Sequence, residues 1–328
     1  TGASADDPPR ARRPRSMTRR VLVTGGAGFL GSHLCDALLS RGDTVVALDD
    51  LSSGRVANVA HLSGDPRFRF VEGDVTRPIS IDGAVDLVLH FASPASPPRY
   101  VAMPIHTLLT GSAGTQHALE LAERHGARMV MASTSEVYGD PQVSPQPESY
   151  WGNVNPVGAR SCYDEAKRFA EALCTSWRTA RGVDVGIIRI FNTYGPRLDP
   201  ADGRAVSSFV HAALRGEPLV VNGDGTQTRS LCFVDDLVAG ILAFADSRET
   251  GPVNLGSDAE LTVLALAREV LRLTGSASPI RHVDALPDDP QQRRPDLALA
   301  AARLGWRPTT DLATGLARTI SWMRSLPA

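Results

Sequence analysis

Tyr163 and Lys167 stand four residues apart in Tyr163-Asp164-Glu165-Ala166-Lys167, so a helix would carry both on one face. A phenol with a pKa near 10 is a poor base at neutral pH. A neighbouring positive charge favours the phenolate, and such a tyrosine can take a proton from an alcohol as hydride leaves the same carbon. The pair alone recurs by chance on amphipathic helices. Here it follows an apolar run, RMVMASTS at 128–135, that leads into Ser133-Thr134-Ser135-Glu136. A strand ending there would present hydroxyls and a carboxylate in the crevice beyond the C-terminal edge of a sheet.

A second cluster could hold the hydride acceptor. Thr24-Gly25-Gly26-Ala27-Gly28-Phe29-Leu30-Gly31 directly follows the apolar run at 20–25. Glycines at 25, 28 and 31 allow a tight turn, close approach of a pyrophosphate and close helix–strand packing. Phe29 and Leu30 open a helix whose free N–H groups and positive dipole end favour phosphates. Asp49 closes the next run, TVVALDD at 44–50, where a carboxylate accepts both ribose hydroxyls and repels an added phosphate. NAD is therefore expected rather than NADP, with Arg55 read as a solvated neighbour. Asp74, in Gly73-Asp74-Val75, is placed to bond an adenine amino group or to cap its strand. A bound nicotinamide would add its positive charge to that of Lys167 beside Tyr163.

The elements that must position these residues alternate. Buried strands are expected at 20–25, 44–50, 67–74, 85–93, 128–135 and 183–192, with helices at 29–41, 103–125 and 162–181. That order predicts an α/β, Rossmann-type, doubly wound parallel sheet. After Asn192 the chain loosens into Gly, Pro and Asp, then short strands at 218–232 and helices at 234–246, 262–274 and 311–325. The expected division is a basic disordered tail at 1–16, an NAD-binding domain at 17–192 with returns near 230–256, and a smaller mixed substrate-binding lobe at 193–328. Met17 is a candidate start, and no internal repeat is visible.

Composition narrows the function class. A formal net charge of -2 over 328 residues argues against nucleic acid as a partner. No apolar run approaches the roughly 20 residues needed to cross a bilayer, and no signal-peptide pattern opens the chain. The cysteines Cys35, Cys162, Cys174 and Cys232 lack metal-ligand spacing and read as reduced core thiols of a cytoplasmic protein. No metal site is expected.

With these motifs in place, the chain from Arg20 onward resembles the extended short-chain dehydrogenase/reductase family. Within it, the chain is most similar to the UDP-glucuronic acid decarboxylases. The stretches that carry the likeness are ASPASPPRY (92–100), ASTSEVYGDP (132–141), YWGNVNPVGARSCYDEAKR (150–168), RIFNTYGPR (189–197) and DDPQQRRPD (288–296). The resemblance implies Tyr163 as base at the sugar C4 hydroxyl, Lys167 on the nicotinamide ribose and Thr134 on the C4 oxygen. It also implies that Ser135 and Glu136 handle proton transfer or a water near C5 and the carboxylate, with Arg293 facing the substrate carboxylate. Arg99 and Tyr100 would touch the substrate, while Asn192, Arg204 and Arg229 would lie along the nucleotide diphosphate.

The implied chemistry is oxidation at C4, loss of CO2 from the resulting β-keto acid, protonation at C5 and return of the hydride, giving UDP-xylose. Two rivals share the fold: a nucleotide-sugar 4,6-dehydratase, which in the deoxythymidine-diphosphate class usually carries Asp where this chain has Ser135, and a C4 epimerase. A nonenzymatic NAD-binding sensor would have shed Tyr163 or Lys167. One departure stands out: relatives commonly have Asn at the position of Gly111, where it supports a proton relay. The amphipathic stretches 103–125 and 162–181 are expected to pair two copies into a homodimer, with burial against the chain's own core as the alternative.

Overall fold

The computed structural model describes residues 18–284 and 292–326. The expected tail at 1–16, and residues 288–291 of the Arg293 stretch, lie outside them. The chain runs β1 (Arg20–Thr24), α1 (Phe29–Ser40), β2 (Thr44–Asp49), β3 (Phe68–Glu72), β4 (Leu87–His90), α2 (Pro97–Ala102) and α3 (Pro104–Leu109). Then follow α4 (Thr115–His125), β5 (Arg128–Thr134), α5 (Ser161–Arg181), β6 (Val185–Ile190), β7 (Thr193–Tyr194), α6 (Ala205–Arg215) and β8 (Leu219–Asn222). β9 (Thr228–Ser230), β10 (Cys232–Phe233), α7 (Val234–Asp246), β11 (Val253–Leu255), β12 (Glu260–Thr262) and α8 (Val263–Thr274) come next. β13 (Ile280–Val283), β14 (Gln292–Arg293), α9 (Ala298–Leu304) and α10 (Leu312–Arg324) complete the described chain.

Seven strands form one parallel sheet in the order β3-β2-β1-β4-β5-β6-β11. Its inner strands are apolar on both faces because helices cover both, whereas β3, expected as a buried strand, is a half-exposed edge with Arg69 and Glu72 in solvent. Val21, Val23, Val45, Ala47, Leu87 and Leu89 point into one core with Leu34 and Leu38 of α1. Leu22, Val46, Leu48, Val88, Met129 and Met131 point into the other with Leu119, Ala122 and Cys174. The order reverses between β1 and β4, and a crevice opens there beyond the strand ends.

The expected single helix over 103–125 is three pieces. Between α3 and α4 the backbone widens into one π turn at Thr110–Gly114. Gly111 lies against α5 so closely that an added Cβ would sit 2.6 Å from the Cβ of Ala166. Hydrophobic periodicity marks the buried face but not this interruption.

Beyond β6 the structure is mixed, with β12-β9-β14, β13-β8 and β10-β7 as small sheets. A latch joins this part to the loop after β5. Gln146 N–H donates to the Arg294 carbonyl at 2.8 Å, Arg294 N–H to Gln146 Oε1 at 2.8 Å, and Asp296 N–H to the Gln146 carbonyl at 3.0 Å. The buried Asn254 side chain braces it, donating to the Gln146 carbonyl at 2.9 Å and accepting from the Tyr138 hydroxyl at 2.8 Å.

Candidate active site

The glycine turn closes on itself. Gly25 adopts φ +70, and a Cβ on Gly31 would lie 1.9 Å from the Gly25 carbonyl oxygen, so α1 starts hard against the turn. Asp49 accepts from the N–H groups of Ala27 and Leu51, each at 2.9 Å. Burial pushes its carboxyl up from the ordinary range, against those two bonds. Its remaining lone pairs face a cleft of about 590 Å³ that runs from Gly25, Gly28, Phe29, Leu30 and Gly31 past Tyr163 and Lys167 to Arg229 and Arg293. A backbone cradle for phosphates, a carboxylate for ribose and a lysine further along fit a dinucleotide.

Arg55, read from the sequence as a solvated neighbour, lines the cleft, while the Asp74 carboxylate bonds within its own loop. Arg55 pairs with Asp199 at 2.7 Å. The Asp74 carboxylate accepts from Thr76 N–H at 2.8 Å and from its hydroxyl at 2.7 Å. Gly73 and Val75 line the cleft while Asp74 sits beside Asp50 and His106.

The chemical end is built by β5 and α5. Thr134 ends β5 and accepts from Glu136 N–H at 3.2 Å, which starts the tight turn holding Ser135 and Glu136. Tyr163 and Lys167 project from the first two turns of α5, both buried. Lys167 Nζ donates to the Ala132 carbonyl at 2.9 Å and lies 5.9 Å from the Tyr163 ring centroid. Burial lowers the Lys167 ammonium to about 8. Burial also pushes the Tyr163 phenol up to about 12, against a hydrogen bond with Thr134. In the cofactor-free protein desolvation therefore outweighs the nearby charge.

Glu136 is held between two guanidinium groups. Arg293, on β14, forms a fork with both Glu136 oxygens, and Arg160, just before α5, binds one of them. Arg160 is absent from the residues singled out in the sequence. It lies 24 residues from Glu136 and only the folded loop joins them. Tyr100, from α2, stacks on Tyr163 with ring centroids 5.0 Å apart, and its buried hydroxyl has no partner. Arg99 is an exposed neighbour of Asp199 at 3.5 Å. Arg204 pairs with Asp202, while Asn192, Arg204 and Arg229 line the cleft beyond Tyr163.

The sheet order, glycine cradle and Tyr/Lys centre together define an NAD-using oxidoreductive fold. Residues 21–256 match the NAD dependent epimerase/dehydratase family, and the chain belongs to it. It is 49% identical to UDP-glucuronic acid decarboxylase 1 of Xenopus tropicalis over 306 residues, 93% of this chain and 72% of the relative. It is also 49% identical to UDP-glucuronic acid decarboxylase 3 of Arabidopsis thaliana, over 90% of this chain and 86% of that one. Among solved structures, dTDP-glucose 4,6-dehydratase of Streptomyces venezuelae, with NAD bound, superposes with a TM-score of 0.85. The two are 33% identical over 93% of this chain and 97% of that one. NAD is the cofactor of the family, and the cleft fits it.

Proposed function

We propose that this protein converts UDP-glucuronic acid to UDP-xylose and CO2. The observation that carries the reading is the Arg293 guanidinium brought to the Glu136–Thr134–Tyr163 corner of the cleft, where a sugar carboxylate beside C4 would need it. NAD, which the Gly25–Gly31 turn, Asp49 and Lys167 would hold, would supply reversible hydride acceptance at C4.

The chain's own residues do the rest. Tyr163 takes the C4 hydroxyl proton, helped by Thr134, once positive charge near the ring offsets its burial. Lys167 holds the nicotinamide ribose. The C4 ketone stands β to the carboxylate, so CO2 departs and leaves an enolate whose oxygen Tyr163 and Thr134 stabilise. Glu136 and Ser135 serve protonation at C5. Arg204, Arg229 and Asn192 hold the diphosphate, with Arg99 and Tyr100 at the sugar side. Asp49 holds the adenosine ribose and Asp74 borders the adenine end.

Residues 17–192, with 230–256, would bind NAD, and 193–328 would mainly bind substrate. Four buried, unpaired cysteines support a reducing cytoplasmic setting. Exposed Val101, Ile105, Leu108 and Leu109, together with Phe169 of α5, offer an apolar face for a second copy.

The test is proton NMR of UDP-glucuronic acid incubated with the protein and catalytic NAD. A UDP-pentose formed without stoichiometric NADH is expected. No turnover of it, with dehydration of a nucleotide hexose offered in parallel, would overturn the reading in favour of the dehydratase.

A further inference from the structure

Asp164 follows the proposed base and has no part in the scheme above. It is 7% exposed, its Oδ1 is buried without a hydrogen-bond partner, and it does not line the cleft. The charged groups close enough to act on its carboxyl are Glu136 from the turn after β5, Arg160 before α5, Arg293 from β14, and Glu165, which is partly exposed and pairs with Arg168. The phenols of Tyr100 and Tyr163 and the Cys162 thiol also feel its charge. An orphaned buried carboxylate oxygen costs free energy unless a proton or a donor reaches it.

Charge balance suggests which. Without substrate, two guanidinium groups face two carboxyl groups. Arg204, the next cation, is matched by Asp202. A uronic acid brings a third carboxylate to the same two guanidinium groups, and one of the three acids must then bind a proton or remain uncompensated. Decarboxylation has a matching need. The C5–carboxylate bond breaks, its electron pair enters the enolate, and C5 must gain one proton for each CO2 released.

We propose that Asp164 takes up a proton when the uronic acid binds, holds it beside Glu136, and returns it through Glu136 to C5 after CO2 leaves. The substrate carboxylate, competing for Arg160 and Arg293, frees a Glu136 oxygen for the transfer. Solvent then reloads Asp164, so the cycle balances with one proton consumed per CO2. Asp164 acts through Glu136 and is a positioning residue. Its carboxyl, raised to about 7 by burial and by the Glu136 charge, suits the task. The inference rests on the decarboxylase reading.

The experiment is calorimetric binding of UDP-glucuronic acid to the NAD-loaded Tyr163→Phe protein, in buffers of different ionisation enthalpy. Tyr163→Phe stops the chemistry and isolates binding. At pH 8, where Asp164 is mostly ionised beforehand, uptake of about one proton is expected, falling toward pH 6 as the acid is already loaded. UDP-glucose, which lacks the carboxylate, should take up none. Adding Asp164→Asn should abolish uptake, and Asp164→Glu should restore it, with thermal melts checking that each variant is folded. In the otherwise unmodified protein, Asp164→Asn should slow CO2 release at least tenfold with little change in KM. Equal uptake with both ligands, or unchanged uptake and turnover in Asp164→Asn, overturns the role of Asp164 alone. No CO2 from the unmodified protein overturns both this role and the decarboxylase reading.

Discussion

Burying Lys167 has a cost in stability. Its ammonium is lowered from 10.5 to about 8, so the native state binds fewer protons than the unfolded chain between those values. The penalty is complete below pH 8 and fades as pH rises toward 10.5. One pKa unit is about 1.4 kcal/mol and the lost bond to Ala132 about 1 kcal/mol, so Lys167→Met should stabilise the cofactor-free protein by about 2 kcal/mol at pH 7. Thermal melts check this, and the variant should be inactive. Arg293→Lys keeps the charge but loses the fork on Glu136, and should cut kcat/KM for UDP-glucuronic acid by about 10–100-fold while sparing UDP-glucose binding. At this scale the sequence exposed Tyr163, Lys167, Thr134 and Glu136, because local spacing places each pair. It did not expose Arg160 or the unpartnered Asp164, because their environment is made by β14 and the loop after β5, far away in the chain.

Element boundaries follow the same logic. Expected strands at 20–25, 44–50 and 128–135 coincide with β1, β2 and β5 to within a residue or so, because continuous apolar runs suit strands covered on both faces. PVNLG at 252–256 does return to the main sheet, as β11 beside β6. The helix over 103–125 was legible as a buried face but not as three segments. Its interruption explains Gly111. An Asn there would need its Cβ 2.6 Å from the Cβ of Ala166 and 2.8 Å from the Ala166 carbonyl oxygen. Gly111→Asn should therefore not restore a relay but destabilise by about 1–3 kcal/mol, as overpacking does, read as a lower denaturation midpoint. Gly31→Ala should likewise force α1 off the glycine turn and abolish NAD retention, measured by the absorbance of released cofactor.

For the whole molecule, association turns on one exposed apolar face. Ile105 is 68% and Phe169 51% exposed on neighbouring helices. Light scattering should give a dimer mass for the protein, and Ile105→Glu with Phe169→Glu should give a monomer that keeps its Tm within a few degrees, since both side chains already face water. The latch at Gln146 has another consequence, in time rather than space. Arg293 meets Glu136 across 157 residues. Because synthesis proceeds from the N-terminus, the glycine turn, Asp49 and Tyr163 leave the ribosome long before the segment bearing Arg293. The nucleotide cradle can thus assemble while the clamp around Glu136 is still being translated. On the proposed reading, selection of an acidic sugar would be the later acquisition of each newborn molecule, conferred when that segment docks on Gln146.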